Sequence, residues 1–181
     1  MDEIIVQNHP MDADLAPYHL PDPYPVPVNL KPDSRRGAIL SLAYAGKNSE
    51  MTALTQYVVH HETYGKEYAQ VSRDILNIGI IEMHHLDMLG ACMRQLGVPL
   101  ELKSYSGFGA TYWNARNIVY GRTPRERILI DIQGEKDCVK QYKNIISYIN
   151  SPAIENLLLR IEADEEHHIK LLEKMLENFL S

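Results

Sequence analysis

The chain has 181 residues, of which 45% are apolar, so we expect one domain with a sizeable core. Its formal net charge of -6 argues against a protein that binds the phosphate backbone of nucleic acids, because such proteins present clustered positive charge. No apolar run is long enough to span a membrane, and the first ten residues lack the pattern of a signal peptide. We therefore expect a cytoplasmic protein that binds neither nucleic acid nor membrane.

Residues 1–33 differ from the rest of the chain in charge and in proline content. They hold six of the 24 acidic residues, one of the 18 basic residues and seven of the ten prolines. Proline fixes φ and donates no main-chain hydrogen bond, so the alternating prolines from Pro21 to Pro27 predict an extended or disordered segment. The sequence leaves open whether this proline-rich acidic arm is a disordered tail or packs on the body or on a neighbouring subunit.

From residue 34 onward the apolar residues repeat with a helical period, and capping signals divide the segment into four helices. Gly65 ends the first helix, Gly97 and Pro99 end the second, and a capping box from Thr123 to Glu126 begins the third. The predicted helices are about 34–64, 67–96, 124–149 and 152 to nearly 181, with a long connection over 97–122. Residues 34–181 are thus predicted to form an all-α four-helix bundle with one long crossover between helices 2 and 3.

The two predicted helical hairpins repeat one pattern. It consists of a Glu followed six residues later by Gln-Tyr, and then of Glu-x-His-His on the next helix. These elements are Glu50, Gln56-Tyr57 and Glu82 to His85 in the first half, and Glu135, Gln141-Tyr142 and Glu165 to His168 in the second. Two matches in register indicate a pseudo-twofold body whose equivalent groups face a common centre.

Four glutamates and two histidines interrupt the apolar seams of the four helices, near the middle of each. Burying a carboxylate without a partner is costly, and no Lys or Arg lies in the same layer, so protons or metal ions are the remaining partners. Glu-x-x-His places two side chains on one helix face as ligands to one ion. Glu50 and Glu135 have two oxygens each and are candidates to bridge two ions. The predicted metal ligands are Glu50, Glu82, His85, Glu135, Glu165 and His168.

Several polar residues are candidates for supporting roles. Tyr57 and Tyr142 lie two turns after the proposed bridging glutamates, where we expect core packing or hydrogen bonds to the ligands. Asp131 and Asp87 are candidates to orient the ligand histidines, and the sequence does not decide between them.

Other histidines and one further glutamate lie near the motifs without sharing their seams. His84 and His167 fall off the seams, so we expect them outside the ligand layer or at the surface. His60 and His61 lie near the end of the first helix and are expected to be exposed. Glu162 precedes Glu165 by one turn, which leaves open whether it is a seventh carboxylate of the site.

Residues 34–181 resemble the ferritin-like superfamily, specifically its rubrerythrin and manganese-catalase branches. The resemblance is carried by Ala45 to Glu50, Ile81 to His85, Gly134-Glu135 and Asp164 to His168. It implies that the six predicted ligands hold two metal ions, either iron or manganese. It also implies a homodimer.

The resemblance implies a dimetal oxidoreductase of the peroxidase or catalase type, acting on hydrogen peroxide or dioxygen. A peroxidase would need a separate electron-donor protein, because the chain lacks the paired Cys-x-x-Cys of the rubrerythrins' rubredoxin module. Cys138 also stands where rubrerythrins place a second Glu on the third helix. Two alternatives remain open: an iron-binding or ferroxidase protein of the storage type, and a structural, spore-coat-like protein with a stabilising metal site.

Overall fold

A computed structural model describes residues 13–64, 66–106, 109–177 and 179 of the chain. The helices are α1 (Ser34–Ala45), α2 (Glu50–Tyr64), α3 (Ala69–Gln95), α4 (Pro124–Ile149) and α5 (Pro152–Glu177). Helix α2 packs along α3, and α4 packs along α5, which gives two antiparallel hairpins, while α1 contacts α3 and α4. The prediction of an all-α bundle with one long crossover is confirmed, although Gly65, the predicted end of the first helix, lies outside the described residues.

The helix predicted over 34–64 is in fact two helices, separated at residues 46–49. Gly46 ends α1 in an extended conformation while its N–H donates to the Leu42 carbonyl at 3.1 Å. A Cβ at this position would lie 2.4 Å from that carbonyl oxygen, so the turn requires glycine. The Ser49 hydroxyl then accepts a hydrogen bond from the Thr52 N–H at 3.3 Å and starts α2.

The predicted start of the third helix is confirmed. The Thr123 hydroxyl accepts from the Glu126 N–H at 3.1 Å, and the Glu126 carboxylate accepts from the Thr123 N–H at 3.2 Å. Asn150, in the left-handed region with φ 46°, ends α4 and turns the chain into α5. The end of the fourth helix beyond Glu177 falls largely outside the described residues.

The buried apolar residues form two clusters that lie at opposite ends of the bundle. Along α3, Ile75 and Ile78 belong to one cluster, and Leu89 and Cys92 belong to the other. Along α5 the order is reversed, as expected for an antiparallel neighbour. The layer between the clusters is polar on both helices, so apolar side chains close it off along the bundle axis.

Parts of the two irregular segments pack against the helices, and strand β1 (Lys103–Ser106) of the crossover contacts α1. The crossover contains a two-stranded antiparallel hairpin, β1 (Lys103–Ser106) and β2 (Gly109–Tyr112), which the sequence did not predict. Residues 13–33 of the arm also pack on the bundle: the Asp33 N–H donates to the Leu96 carbonyl at 2.9 Å. Residues 1–12 of the arm lie outside the described residues, and the division of the chain at residue 33 stays a prediction.

Among the helices of the described ranges, none is both long enough and apolar enough to cross a membrane.

Gln141 holds the break between α1 and α2 in place, and its removal tests this contact. Its side-chain amide donates to the carbonyls of Leu42 and Asn48, each at 2.6 Å. We expect Gln141→Ala to lower the free energy of unfolding by about 1–3 kcal/mol, because it leaves two carbonyls of the half-buried break without this donor. Gln133→Ala, on the exposed face of the same helix, is the matched control and should cost at most about 0.5 kcal/mol. Urea unfolding measures both free energies. Equal decreases in the free energy of unfolding of the two variants would show that Gln141 does not stabilise the break.

Candidate metal centre

Six side chains converge in the polar layer between the two apolar clusters. Glu50 opens α2, Glu135 comes from α4, and the two Glu-x-x-His pairs come from α3 and α5. Each of the six is at most 1% exposed. The structure therefore brings together, from four helices, all the residues that the sequence singled out as ligands: Glu50, Glu82, His85, Glu135, Glu165 and His168.

These six residues form two groups, and within each group the potential ligand atoms lie within 4.8 Å of one another. Glu82 and Glu165 belong to both groups. The sequence had suggested Glu50 and Glu135 as the bridging residues, but each of these belongs to one group only. The groups are Glu50, Glu82, His85 and Glu165, and Glu82, Glu135, Glu165 and His168.

Two tyrosines each hold one carboxylate oxygen of Glu50 and of Glu135. The Tyr142 hydroxyl donates to Oε1 of Glu50, and the Tyr57 hydroxyl donates to Oε1 of Glu135. Only Oε2 of each glutamate then remains without a hydrogen-bond partner. Each tyrosine comes from the opposite hairpin, so the two contacts are related by the pseudo-twofold arrangement of the repeat.

The unsatisfied polar atoms of this layer show that the residues fit metal ions. Both carboxylate oxygens of Glu165, Oε1 of Glu82 and Nδ1 of His168 are buried without a hydrogen bond. Nδ1 of His168 lies 2.9 Å from Oε1 of Glu82, and Nδ1 of His85 lies 3.2 Å from Glu165. Buried carboxylates left without partners are strongly unfavourable, whereas carboxylate oxygens and imidazole nitrogens are the donors that iron and manganese take.

Both histidines point Nδ1 toward the carboxylates and Nε2 away from them. Nε2 of His85 lies 3.2 Å from Oδ2 of Asp164, and Nε2 of His168 lies 2.9 Å from the main-chain carbonyl oxygen of Tyr18. A proton on Nε2 can be donated to each of these acceptors, which leaves Nδ1 unprotonated toward the centre.

A cavity of about 250 Å³ between α2 and α4 reaches this centre from the side. Its lining includes the exposed residues Lys47 and Gln133 and the buried residues Tyr57, Glu135 and Cys138. It therefore connects solvent with one glutamate of the cluster and has room for several water-sized molecules.

The profile of the family described as the ferritin-like domain matches residues 47–180. The chain belongs to the ferritin-like domain family. Its sequence is 27% identical over 141 residues to a bacterioferritin of Rhodobacter capsulatus, a match that covers 75% of this chain and 80% of that protein.

Solved structures of ferritin-like proteins share the fold. The manganese catalase KatB of Anabaena superposes with a TM-score of 0.77 over 89% of this chain and 80% of its own, at 18% identity. The Rhodobacter capsulatus bacterioferritin superposes with a TM-score of 0.69 at 25% identity, over 83% of this chain and 88% of its own. That bacterioferritin structure is described as having a metal-free dinuclear site and a haem iron.

The residues that support this ferritin-like site are partly different from those expected. Asp131 does not contact a ligand histidine but lies 2.8 Å from Nδ1 of His60, and Asp87 is exposed. Asp164 contacts His85 instead. Its only sequence signal is Arg160 four residues earlier, a spacing that also describes ordinary pairs on helix surfaces.

His60 was expected to be exposed but is 1% exposed. The crossover covers it, because the carbonyl oxygen of Val119 lies 3.0 Å from Nε2 of His60. His61 and His84 are half-buried, and His167 contacts an arm carbonyl. Glu162 lies outside both ligand groups and pairs with Lys143 at 3.4 Å.

Burial and charge divide the four glutamates into two kinds. Burial, together with the negative charges of Glu165 and Glu82, raises the pKa of Glu50 and of Glu135 well above the usual value. Burial also disfavours ionised Glu82 and Glu165. The charge of the nearby His168 nevertheless lowers the pKa of Glu82, and contacts with Glu135, His168 and His85 lower the pKa of Glu165. In the absence of metal, the site therefore favours protons on Glu50 and Glu135 over protons on Glu82 and Glu165.

The surroundings of the two histidines favour their protonated form when no metal is bound. Burial opposes a charged imidazole, but contacts with Tyr24 and Asp164 raise the pKa of His85 well above its usual value. Burial likewise opposes charge on His168, but ionised Glu82 raises its pKa to about 10. Protons on the histidines thus offset negative charge of the buried carboxylates.

Metal loading should therefore exchange protons for metal ions. We expect binding of two divalent ions near pH 7 to release more than one proton, because the ions compete with protons for the histidines and for Glu50 and Glu135, whose pKa values are all raised. The apparent affinity should fall as the pH falls, because protons compete for the ligand atoms. Calorimetric titration with Mn²⁺ in two buffers of different ionisation enthalpy measures the release. A release of one proton or fewer per pair of ions would contradict this charge balance.

Proposed function

We propose that this ferritin-like protein is a dimetal-carboxylate oxidoreductase that acts on hydrogen peroxide or dioxygen. The observation that carries the proposal is the pair of ligand groups joined by Glu82 and Glu165. Two carboxylates shared by two groups favour two ions held side by side over one ion or two separate ions. The proposed metal ligands are Glu50, Glu82, His85, Glu135, Glu165 and His168.

The chain's own residues fix the geometry of this site. A pair of iron or manganese ions would supply the electrons exchanged with the substrate. Tyr57 and Tyr142 hold one oxygen of each terminal glutamate and direct the other toward the centre. Burial raises the pKa of both tyrosines well above the usual value, so their hydroxyls stay protonated and keep donating.

The cavity between α2 and α4 supports a small substrate. It ends at buried Glu135 and Tyr57, and the apolar clusters above and below the polar layer exclude bulk water from the rest of the centre. Peroxide and dioxygen are small enough for such a route. A catalase would need no other substrate, whereas a peroxidase would take electrons from a separate donor protein.

The ligand set does not select between iron and manganese, since oxygen and imidazole donors suit both. Zinc binds such sites more tightly than either metal under competition, so a metal that copurifies with the protein need not be the active one. The tests below therefore start from metal-free protein loaded with one metal at a time.

Iron oxidation for storage is the second candidate function. The sequence similarity to a bacterioferritin, over 75% of this chain, is the observation that favours it. Loading with Fe²⁺ under dioxygen separates the two candidates. A storage protein continues to oxidise Fe²⁺ far beyond two ions per chain, whereas an enzyme with a resident pair stops there.

Peroxide turnover tests the proposed function directly. We expect protein loaded with Mn²⁺ or Fe²⁺ to hold two ions per chain and to consume hydrogen peroxide. A catalase should do so alone, with evolution of dioxygen, and a peroxidase should do so once a chemical electron donor is added. Glu165→Gln should lose bound metal and activity together, because it removes a shared ligand. Glu162→Gln is the matched control one turn earlier on the same helix, where the side chain pairs with Lys143, and it should keep both.

Two results would contradict the proposal. Metal-free protein that binds neither Mn²⁺ nor Fe²⁺ would refute the metal centre itself. Protein that holds two ions but turns over neither peroxide nor dioxygen, with or without an added electron donor, would refute the oxidoreductase and favour a stabilising role for the metal.

The route to the centre can be tested at Gly134, which lines the cavity. A Cβ at this position would meet no atom within 4 Å, so a side chain can begin here without a clash at Cβ. We expect Gly134→Leu to lower kcat/KM for peroxide several-fold at unchanged metal content, because the added side chain narrows the cavity. Lys136→Leu, two residues away on the exposed surface, is the control. Equal kcat/KM in all three proteins would show that substrate enters elsewhere.

A further inference from the structure

The arm lies along the seam between α3 and α5. Residues Ala13–Tyr18 form a short 3-10 helix that contacts both of these helices. The Tyr18 hydroxyl donates to Asp74 on α3 at 2.5 Å, and the Pro17 carbonyl accepts from His167 on α5 at 2.9 Å. The arm therefore joins the two hairpins on the side of the bundle from which both ligand histidines are supplied.

The arm provides the hydrogen-bond acceptor for one of these histidines directly. The main-chain carbonyl oxygen of Tyr18 lies 2.9 Å from Nε2 of His168. An acceptor at Nε2 fixes both the tautomer and the ring orientation of a ligand histidine. His168 is completely buried, so solvent does not supply a substitute acceptor in this arrangement.

The arm reaches the other histidine through Asp164. The Leu20 N–H donates to Oδ1 of Asp164 at 2.8 Å, and the Tyr24 hydroxyl donates to Oδ2 at 2.5 Å. Oδ2 is also the atom that faces Nε2 of His85, at 3.2 Å. The Tyr24 ring packs edge-on against the His85 ring, with centroids 5.9 Å apart. Burial raises the pKa of Tyr24, so its hydroxyl remains a donor at neutral pH.

Arg160 contacts both the main chain of the arm and the Asp164 carboxylate. Its guanidinium donates to the carbonyls of Leu20 at 2.6 Å and of Asp22 at 2.8 Å. It also lies 2.6 Å from Oδ1 of Asp164 and stacks over the Tyr24 ring at 4.3 Å. A displacement of the arm would therefore break contacts to Asp164 and to Arg160 at the same time.

We propose that residues 18–24 are a strap that positions the ligand histidines, so that closure of the strap and binding of metal stabilise each other. Tyr24 acts through Asp164 on His85, and the Tyr18 carbonyl acts on His168; neither is a ligand. The inference rests on the proposed function, since it takes the six-residue cluster to be the metal centre.

Thermodynamic linkage makes the coupling reciprocal. If a closed strap strengthens metal binding by some factor, bound metal strengthens strap closure by the same factor. Outer hydrogen-bond partners of metal ligands typically change affinity by about 10–100-fold. The coupling can therefore be measured in two ways: as a change in metal affinity when the strap is altered, and as a change in the hydrogen exchange of strap amides when metal binds.

Substitution of Tyr24 tests whether the strap changes metal affinity. We expect Tyr24→Phe in the full chain to bind one of its two Mn²⁺ ions about 10–100-fold more weakly. Electron paramagnetic resonance of free Mn²⁺ measures this affinity. Tyr18→Phe is the matched control: it removes the hydrogen bond to Asp74 but keeps the carbonyl that faces His168. If the arm serves only general stability, the two variants should alter Mn²⁺ affinity alike, and that result would overturn the proposal.

Hydrogen exchange on the unaltered protein tests whether bound metal stabilises the closed strap. The Leu20 amide donates a hydrogen bond to Asp164, and its exchange rate should fall by a factor of about ten or more once two Mn²⁺ are bound. The Leu30 amide, bonded to Gln95 farther along the arm, is the internal reference and should change less. Unchanged exchange at Leu20 in protein that binds two Mn²⁺ would overturn the strap alone. Protein that binds neither Mn²⁺ nor Fe²⁺ would overturn the proposed function and the strap together.

Discussion

Four glutamates buried in one layer of an apolar bundle impose the constraint on which the rest of the structure depends. The clusters above and below this layer exclude bulk water along the bundle axis, so most of the charge must be balanced within the layer itself. Protons on the histidines and on Glu50 and Glu135 contribute to that balance without metal, and two divalent ions would achieve it with all four glutamates ionised. Binding of metal should therefore displace protons from the layer.

Hydrogen bonds from outside the layer give chemically identical side chains different surroundings. A tyrosine donates to one oxygen of Glu50 and of Glu135, whereas Glu82 and Glu165 have no tyrosine partner of this kind and belong to both groups. Nε2 of each histidine lies toward an acceptor away from the centre. The irregular segments contribute to these surroundings: the arm contacts Asp164 and His168, and the crossover covers the side where the cavity opens.

The sequence predicts the helical body well because the signals for it are local or periodic. The apolar seams, the capping box at Thr123 and the repeated Glu-x-x-His pairs each follow from spacing along one helix. The break at Gly46 was missed because one apolar period continues through it, although glycine and serine are weak helix formers. The bridging roles, the burial of His60 and the contact of Asp164 with His85 depend on chain segments far away in sequence. Neither the arm nor the crossover has a period that reveals its path.

The central claim is that two metal ions lie side by side between Glu82 and Glu165. Element-resolved anomalous scattering from crystals of protein loaded with manganese or iron measures this most directly. The account predicts two peaks of the loaded element in the polar layer, one beside Glu50 and His85 and the other beside Glu135 and His168. A layer without such peaks in fully loaded crystals, or a single ion bound by one group alone, would contradict it.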